Sequence, residues 1–521
     1  MRPILACLLA VGVAIARSTL AIAQTLVVGG AAANSTLDPL FSDNQPNLQA
    51  AAHLYDRLID QDEQLRLRPS LATAWRAVTD TTWEFTLREG VRLHDGSPFG
   101  AEDVVASINR ANTVENSPAS FTVYTRPIER IEVLSPHLIR FHTTGPFPLL
   151  PNYLAMVNII ARANERAPTA EFNAGRAVNG TGPFKLVSWT PGERLEVERN
   201  PGWWGGAVPW ERVVFRIIPN DAARVAALLS RQVDIIDAVP TTVAGSLLVR
   251  ADVSVHQAAA ARLISLGIDV ARERSPFVTG LNGEPIDNPL RDRRVRRALA
   301  MAINLEAIVG RVHSGQAQAA TQFVRAGFVG YVPDLPPIPY DPDAARQALA
   351  EAGYPNGFAL TIHGPANRYP NDEQTLQAIG AMLTRIGLRV QVETPAYPVY
   401  LTRFARLEYS VPLQGFTTIT GESSSILRGV LATYDRERGN GTSNRGRYSN
   451  PEFDRILNEA LTTMDDAARE RLLRAATRIA MEDVAIIPLY FQLNTWASRA
   501  GLSYVARADD QTRAVNVRRS D

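Results

Sequence analysis

Residues 82–112 constrain the fold more than any other part of the 521-residue chain. Apolar and polar side chains alternate from Trp83 to Arg88, which is the pattern of a strand with one buried face. A turn leads into a second short strand predicted over 91–94, and the apolar spacing then becomes helical over 101–112. Strand, helix and strand follow one another again at 220–236. This alternation predicts an α/β fold in which helices pack on a sheet.

The wider segment 67–110 resembles a known family signature. It contains L-x-P-x-L-A-x-x-W and then W-x-F-x-L-R-x-G-V, followed by H-D-G-x-P and A-x-D-V. These motifs are similar to those of the family 5 extracytoplasmic solute-binding proteins of ABC importers, whose members bind dipeptides, oligopeptides, glutathione or nickel. The runs NGTGPF at 179–184 and DRRVRRALAMAI at 292–303 resemble further blocks of the same family. The resemblance implies a two-lobed periplasmic-binding-protein-like fold of type II, with an extra subdomain inserted in the first lobe.

The predicted elements and the resemblance together suggest where each lobe begins and ends. A chain of this length is too long for one ordinary core. The expected parts are a signal peptide at 1–23, lobe I at 24–262 with its insertion at about 56–178, lobe II at 263–487, and a return to lobe I at 488–521. Two crossings between lobes suit a hinged clamp that closes on its ligand.

Residues 1–23 predict export from the cytoplasm. Arg2 precedes an apolar run, residues 4–16, that is too short to span a bilayer, and an A-x-A motif predicts cleavage after Ala23. Cys7 is the only cysteine, so the mature chain would lack a disulfide framework, a thiol nucleophile and a cysteine–zinc site. These features predict a periplasmic protein.

The balance of charges argues against nucleic acid as a partner. The net charge is +1, and the arginines near 291–297 share a helix with a strong apolar face, which favours a solvated, ion-paired surface. The seven histidines form no H-E-x-x-H or H-x-H motif, so neither a metal site nor a cofactor is predicted. The expected partners are a small solute and the permease and ATPase subunits of an importer in the inner membrane, with the chain itself a monomer.

The resemblance also implies how a ligand would be held. Peptide-binding members hold the ligand carboxylate with an arginine, and Arg368 in the run RYPN occupies the similar position, with Tyr369 beside it. A charge-assisted bond of this kind contributes roughly 1.5–3 kcal/mol. The aspartate that binds the ammonium group in dipeptide-binding members aligns here with Ile419. Either Glu422 replaces it, or the ligand carries no ammonium group there.

Other candidate contacts come from neighbouring or resembled segments. Phe416 and Thr417 precede the mismatched position, and the loop containing Asn34 and Thr36 borders the cleft in the resembled family. The alternative for the last two residues is an ordinary turn. Three residues are candidates for aromatic walls, although such residues more often pack in a core or an interface, namely Tyr397, Tyr400 and Trp496.

The leading hypothesis is a binding protein for a peptide or peptide-like solute, without chemistry of its own. Within the same family the ligand could instead be glutathione, an opine, an oligosaccharide or a metal chelate. A secreted hydrolase is the rival class, but G-x-S-x-G, S-x-x-K with its partner motifs, and zincin motifs are missing from the sequence. A chaperone that holds peptides is a third possibility.

Overall fold

The computed structural model describes residues 24–520, so the predicted signal peptide lies outside the described residues. One large mixed sheet passes through both lobes, and its strand order is β13-β15-β17-β12-β18-β11-β1-β10-β9-β8. Strand β14 pairs with β18, and β16 pairs with β15. The strands, numbered along the chain, are β1 (Thr25–Gly30), β2 (Ile59–Gln61), β3 (Leu67–Pro69), β4 (Ala72–Thr79), β5 (Thr82–Leu87), β6 (Ile128–Ser135), β7 (Leu138–Thr143), β8 (Phe184–Thr190), β9 (Arg194–Arg199), β10 (Arg212–Ile217), β11 (Ile235–Ile236), β12 (Val253–Leu266), β13 (Val278–Thr279), β14 (Ala317–Ala319), β15 (Ala359–His363), β16 (Arg389–Glu393), β17 (Val411–Thr417), β18 (Ile487–Arg499), β19 (Leu502–Tyr504) and β20 (Val517–Arg519).

Helices cover the sheet in both lobes. Short 3₁₀ turns occur at 162–164, 289–291 and 514–516, and π-helical turns occur at 308–312 and 427–431. The α-helices are α1 (Gln45–Leu54), α2 (Ala101–Thr113), α3 (Thr122–Thr125), α4 (Leu150–Leu154), α5 (Thr169–Asn173), α6 (Asp221–Leu229), α7 (Thr241–Leu248), α8 (Arg293–Ala302), α9 (Leu305–Ala307), α10 (Pro342–Glu351), α11 (Asp372–Arg385), α12 (Tyr397–Ala405), α13 (Ser424–Ile426), α14 (Pro451–Thr462) and α15 (Asp466–Glu482).

The first lobe is built on β1, which is parallel to both β10 and β11. Leu26 and Val28 on β1 are fully buried, as the apolar run at the start of the mature chain predicts. A separate four-stranded sheet, β4-β5-β7-β6, packs into the same hydrophobic core through Phe85 and Phe141. The predicted strand at 91–94 is wrong, because this segment forms a loop with a single isolated bridge, between Arg92 and Pro98, in place of a ladder.

The second lobe has its own core, and its helices begin and end where the sequence indicates. Asp341 accepts hydrogen bonds from the backbone of α10, and Gly353 beyond the end of this helix has φ +97°. The arginine-rich helix α8 differs in part from the prediction. Arg294 is exposed and pairs with Asp292, but Arg296 is buried and donates to backbone carbonyls at 290–291 and 483–484.

Strands β12 and β18 carry the chain between the lobes. They pair antiparallel from Val253 with Arg499 to Leu266 with Ile487, and the register is interrupted between Ala259 and Leu263. The predicted lobe limits, 262/263 and 487/488, fall within these two strands. An irregular ladder bends more easily than a regular one, so the middle of β12 is where a hinge would lie.

Candidate ligand-binding site

A cavity of about 240 Å³ lies beside the irregular part of β12. This volume is somewhat below the usual range for small-molecule sites, about 300–1,000 Å³. Both lobes and the crossing strand contribute to it. The lining residues are Asp43, Gln45, Leu48, Gln61, Leu65, Met156, Ala260, Ala261, Arg262, Thr417, Ile419, Asn494, Ala508, Asp509, Asp510 and Gln511.

A larger cavity of about 750 Å³ is a less suitable site for a clamp. It is an open groove lined by first-lobe residues alone, among them His94, Arg176 and Trp189. Closure of the lobes would not enclose a ligand there. The smaller cavity at β12 has walls on both sides of the crossing, so its shape depends on the angle between the lobes.

Arg262 is the charged centre of the β12 cavity. It stands directly opposite Thr417 in the β12–β17 ladder, and its Nε donates to Thr417 Oγ1 at 3.1 Å. Desolvation lowers the pKa of Arg262, and the positive charge of Arg368 lowers it further, whereas the carboxylate of Asp510 opposes the shift. The two arginines therefore repel each other, and an anion placed near them would relieve that repulsion.

The loop before α11 holds Arg368 in an exposed position outside the residues that line the cavity, but near enough for its charge to act on Arg262. The buried carboxylate of Asp372 accepts the backbone N–H groups of Arg368 and Tyr369 at 2.8 and 2.9 Å. The guanidinium carbon lies 5.3 Å from the ring centres of both Tyr369 and Tyr397, within the range of a cation–π contact. Within residues 24–520 the guanidinium group donates to no acceptor, so its hydrogen-bonding capacity is available to a ligand.

Asp510 supplies negative charge from the first lobe. Its side chain is exposed to the solvent of the cleft, yet protein surrounds it, and this surrounding protein raises its pKa to about 7. The carboxylates of Asp237 and Asp509 act in the same direction, and Arg262 acts against them. Among the described residues, none donates a hydrogen bond to the Asp510 carboxylate.

Two hydrogen bonds tie the loop after β17 to the first lobe. The amide of Gln61 donates to the carbonyl of Ile419 at 2.9 Å, and the amide of Asn152 donates to the carbonyl of Thr420 at 2.7 Å. The side chain of Ile419 packs against the core of the first lobe. The position that aligns with the ammonium-binding aspartate is therefore apolar, and its backbone carbonyl already accepts a bond.

Glu422 does not face the cavity, which corrects its predicted role as a ligand contact. Its side chain is 3% exposed, and its Oε2 lies 3.3 Å from Nη2 of Arg469 on α15. Burial raises the pKa of Glu422, while Arg469 acts in the opposite direction. The negative charge of Glu422 is thus committed to an internal ion pair.

Several other residues predicted to contact the ligand are buried and form hydrogen bonds within the protein. Trp496 is fully buried and donates to Thr512 Oγ1 at 2.8 Å, so it is a core residue of the first lobe. Asn34 and Thr36 are also buried, bonded to the Thr36 carbonyl and to Asn173 respectively. Tyr400 is buried, with its hydroxyl donating to the Leu413 carbonyl.

The predicted cluster around β17 comes closest to the cavity. Thr417 lines it, and Phe416 packs against the second-lobe core beside Gly429. The hydroxyl of Tyr369 accepts the N–H of Gly415 at 3.0 Å. A methyl group at Gly415 would lie 2.9 Å from the Tyr369 ring, so glycine is needed for this close approach.

Sequence reasoning missed Arg262 and Asp510. Arg262 lay in a stretch with no motif, and its role depends on pairing with a strand about 150 residues later. Asp510 follows a second aspartate near the end of the chain, and nothing local distinguishes the two. Only the structure sets Asp510 apart, since its φ is +62°, which is unusual at a residue other than glycine.

In the part of the chain that the structure describes, no cluster of three or more histidine, cysteine, aspartate or glutamate side chains could hold a metal ion. Over the same residues, no helix combines the length and the apolar character needed to cross a membrane.

Comparisons with known proteins show the family and the fold of the chain. The family model described as bacterial extracellular solute-binding proteins, family 5 middle, matches residues 66–437. Glutathione-binding protein GsiB of Escherichia coli K12 is 28% identical over 480 residues, which cover 90% of this chain and 89% of GsiB. HbpA2 from Haemophilus parasuis is structurally similar, with a TM-score of 0.82, 21% identity and coverage of 95% of this chain and 100% of HbpA2.

DppA from Helicobacter pylori, solved in complex with the peptide STSA, has a TM-score of 0.73 at 23% identity and covers 95% of this chain and 98% of its own. The structural likeness confirms the predicted two-lobed α/β fold of type II. Members of the matched family bind peptides or other small solutes, work with permease and ATPase subunits of ABC importers, and are not enzymes. The chain belongs to family 5 of the bacterial extracellular solute-binding proteins.

Proposed function

We propose that this protein captures a peptide or peptide-like solute between its lobes in the periplasm. It then delivers the solute to the permease and ATPase subunits in the inner membrane, as a monomer whose signal peptide is removed after Ala23. The ligand occupies the cavity beside β12, and closure of the lobes is stabilised by contacts to both walls.

One observation carries the ligand class. Arg368 has no acceptor among the described residues, and Arg262 lies near enough for the two positive charges to disfavour each other. A carboxylate offers two oxygens that match a guanidinium fork, so it would neutralise this region. The C-terminus of a peptide supplies such a carboxylate.

The relatives support the same class. GsiB is named as a glutathione-binding protein, and DppA was solved with a peptide. Glutathione and an unmodified peptide each carry carboxylate and ammonium groups on a short amide backbone. Glutathione is therefore a specific candidate, and the cavity volume of about 240 Å³ favours a ligand of this small size.

Native mass spectrometry of the mature protein purified from its own periplasm tests this proposal. The expected result is a released mass that matches a small peptide or glutathione, and its loss in the Arg368→Ala variant. Arg436→Ala, which removes another exposed arginine, serves as the matched control and should retain the mass. A sugar without a carboxylate, or a metal chelate, would contradict the peptide-like ligand.

A further inference from the structure

The acidic residues around the β12 cavity differ in how much of their charge is available. Asp43 accepts the hydroxyl of Tyr124 at 2.8 Å. Asp509 accepts two nitrogens of Arg507 and the N–H of Gln511. Asp510, in contrast, has a carboxylate that no donor within residues 24–520 reaches. Asp510 is therefore the free acid of the cavity.

The conformation of Asp510 is held by its neighbours. Its φ of +62° is unusual for a residue with a side chain, although Asp and Asn tolerate this region better than most. The amide of Gln45 on α1 donates to the Asp510 carbonyl, and the Asp510 N–H faces the Arg507 carbonyl at 3.5 Å. These two contacts fix the backbone that carries the carboxylate, and backbone outliers of this kind cluster at ligand sites.

The opposite wall of the cavity offers no acid. Ile419 presents an apolar side chain, and burying an unpaired ammonium group against it would be costly by several kcal/mol. The nearest second-lobe acid in the sequence, Glu422, is buried against Arg469. An ammonium group in this cavity therefore has to find its counter-charge on the first lobe.

We propose that Asp510 binds the ammonium group of the ligand, so that the first lobe supplies the acid that the second lobe lacks at position 419. This inference rests on the proposed function, because it requires a ligand that carries an amine. Arg368 belongs to the second lobe and Asp510 to the first. A zwitterionic ligand held by both links the lobes, and each charge pair then contributes to closure.

A role for Asp510 in balancing the charge of Arg262 alone makes a different prediction. Asp510 and Arg262 line the same cavity, and their charges influence each other. If Asp510 served only to balance Arg262, its removal would weaken the binding of amine-bearing and amine-blocked ligands equally. If Asp510 binds the ammonium group, its removal weakens the binding of amine-bearing ligands alone.

The test uses the mature protein and the Asp510→Asn variant. Asparagine keeps the shape and tolerates the positive φ, but it lacks the charge. The probes are a library of unmodified tripeptides, the same library with acetylated N-termini, and reduced glutathione with its N-acetyl derivative. Native mass spectrometry selects the species retained, and titration calorimetry then measures the affinity for each selected pair.

The wild-type protein is expected to prefer the free amine by at least tenfold, and Asp510→Asn to remove most of this preference. The control Asp80→Asn, which alters an exposed aspartate in the turn between β4 and β5, should keep the preference. A preference that survives in Asp510→Asn, or equal losses for free and acetylated ligands, would overturn the role of Asp510. If the wild-type protein retains no tripeptide and no glutathione, the proposed function itself fails, and this inference fails with it.

Discussion

Two oppositely charged pairs lie near the lobe interface, and the protein treats them differently. Glu422 and Arg469 are buried and face each other at 3.3 Å. Asp510 and Arg368 are exposed, and neither carries a hydrogen bond to its charged group from residues 24–520. The first pair joins the loop after β17 to α15 within the second lobe. The other two charges stand on different lobes, in loops that backbone hydrogen bonds fix, and they remain available to a ligand.

The difference shows that charged side chains in a binding protein serve two purposes. Some are paired inside the fold, and others are left unpaired for a ligand. A buried ion pair is desolvated, so it has to be satisfied internally, and removing one partner leaves an uncompensated charge. An exposed group such as Arg368 loses little when it is unpaired, because water solvates it until a ligand arrives. Asp510 differs, because the surrounding protein raises its pKa, so its free negative charge is unfavourable for folding. The Asp372 carboxylate, which fixes the Arg368 loop, illustrates the arrangement, since one acid is used to position another residue's charge.

The largest expected effect comes from breaking the buried pair. Arg469→Met should lower the free energy of unfolding by about 3–5 kcal/mol, because Glu422 stays buried without its partner. Urea unfolding followed by circular dichroism measures this change. The pKa of Glu422 is already raised by burial, so the variant should be most stable at acidic pH and lose stability as the pH rises.

The double variant Glu422→Gln/Arg469→Met provides the control for this prediction. It contains neither charge, so it should recover much of the lost stability. A single variant that loses less than about 1 kcal/mol would show that Glu422 finds another partner or water. The two pairs would then differ less than the structure indicates.

The next effect concerns the exposed pair. Arg368→Ala should weaken the binding of a carboxylate-bearing ligand by about 10- to 100-fold, because a charge-assisted bond of roughly 1.5–3 kcal/mol is lost. The free energy of unfolding should change by less than about 0.5 kcal/mol, since the side chain is exposed. Calorimetric titration and urea unfolding of the same preparation separate the two readouts. A stability loss as large as that of Arg469→Met would erase the contrast between the pairs.

Local patterns explain which parts of the molecule the sequence could predict. Helix α10 and strand β15 match the predicted elements closely, because a cap at Asp341 and an apolar run at 359–363 act over a few residues. The segment 91–94 has the apolar pattern of a strand but is a loop. Its apolar residues Val91 and Leu93 are buried all the same. Burial alone does not distinguish these two cases.

The candidate site was harder to predict, because its charges depend on partners far along the chain. In the sequence Glu422 is indistinguishable from an available charge, but in the fold Arg469, 47 residues later, lies against it. Trp496 looked like a possible wall, but Thr512 and the first-lobe core enclose it. Arg368 was found through its resemblance to a family motif, and Asp510 had no such motif. The sequence shows which residues carry a charge, but it does not show which of these charges the fold leaves unpaired.

A pH titration sharpens the contrast further. The pKa of Asp510 is about 7 in the empty protein, raised by the surrounding protein and by Asp237 and Asp509 and opposed by Arg262. Asp43, which lines the same cavity, is engaged by Tyr124. An ammonium group binds the ionised form, so this contribution to affinity is present above pH 7 and is lost as the pH falls below it.

Between pH 7.5 and pH 6 the affinity for an amine-bearing ligand should therefore fall about 5- to 10-fold. Asp510→Asn should flatten this dependence. The raised pKa also means that the ionised carboxylate opposes folding at neutral pH, so Asp510→Asn should melt no lower than the wild-type protein. A flat profile in the wild-type protein, or a clear drop in melting temperature in the variant, would assign Asp510 to the fold instead of the ligand.

The smallest expected effect concerns Arg262. It shows whether the Arg262 side chain is available to a ligand, like that of Arg368, or is held by internal partners, like that of Arg469. Its Nε donates to Thr417 Oγ1 at 3.1 Å, and its Nη1 lies 3.5 Å from Gln492 Oε1, so its side chain is held at one edge and free at the other. Thr417→Val keeps the shape and removes the hydroxyl. We expect a two- to fivefold loss of affinity, equivalent to about 0.5–1 kcal/mol, because Arg262 is less well directed at the ligand carboxylate.

Thr417→Ser restores the acceptor and should restore the affinity. If valine and serine behave alike, Arg262 acts only through its charge, and the ligand carboxylate is positioned by Arg368 alone.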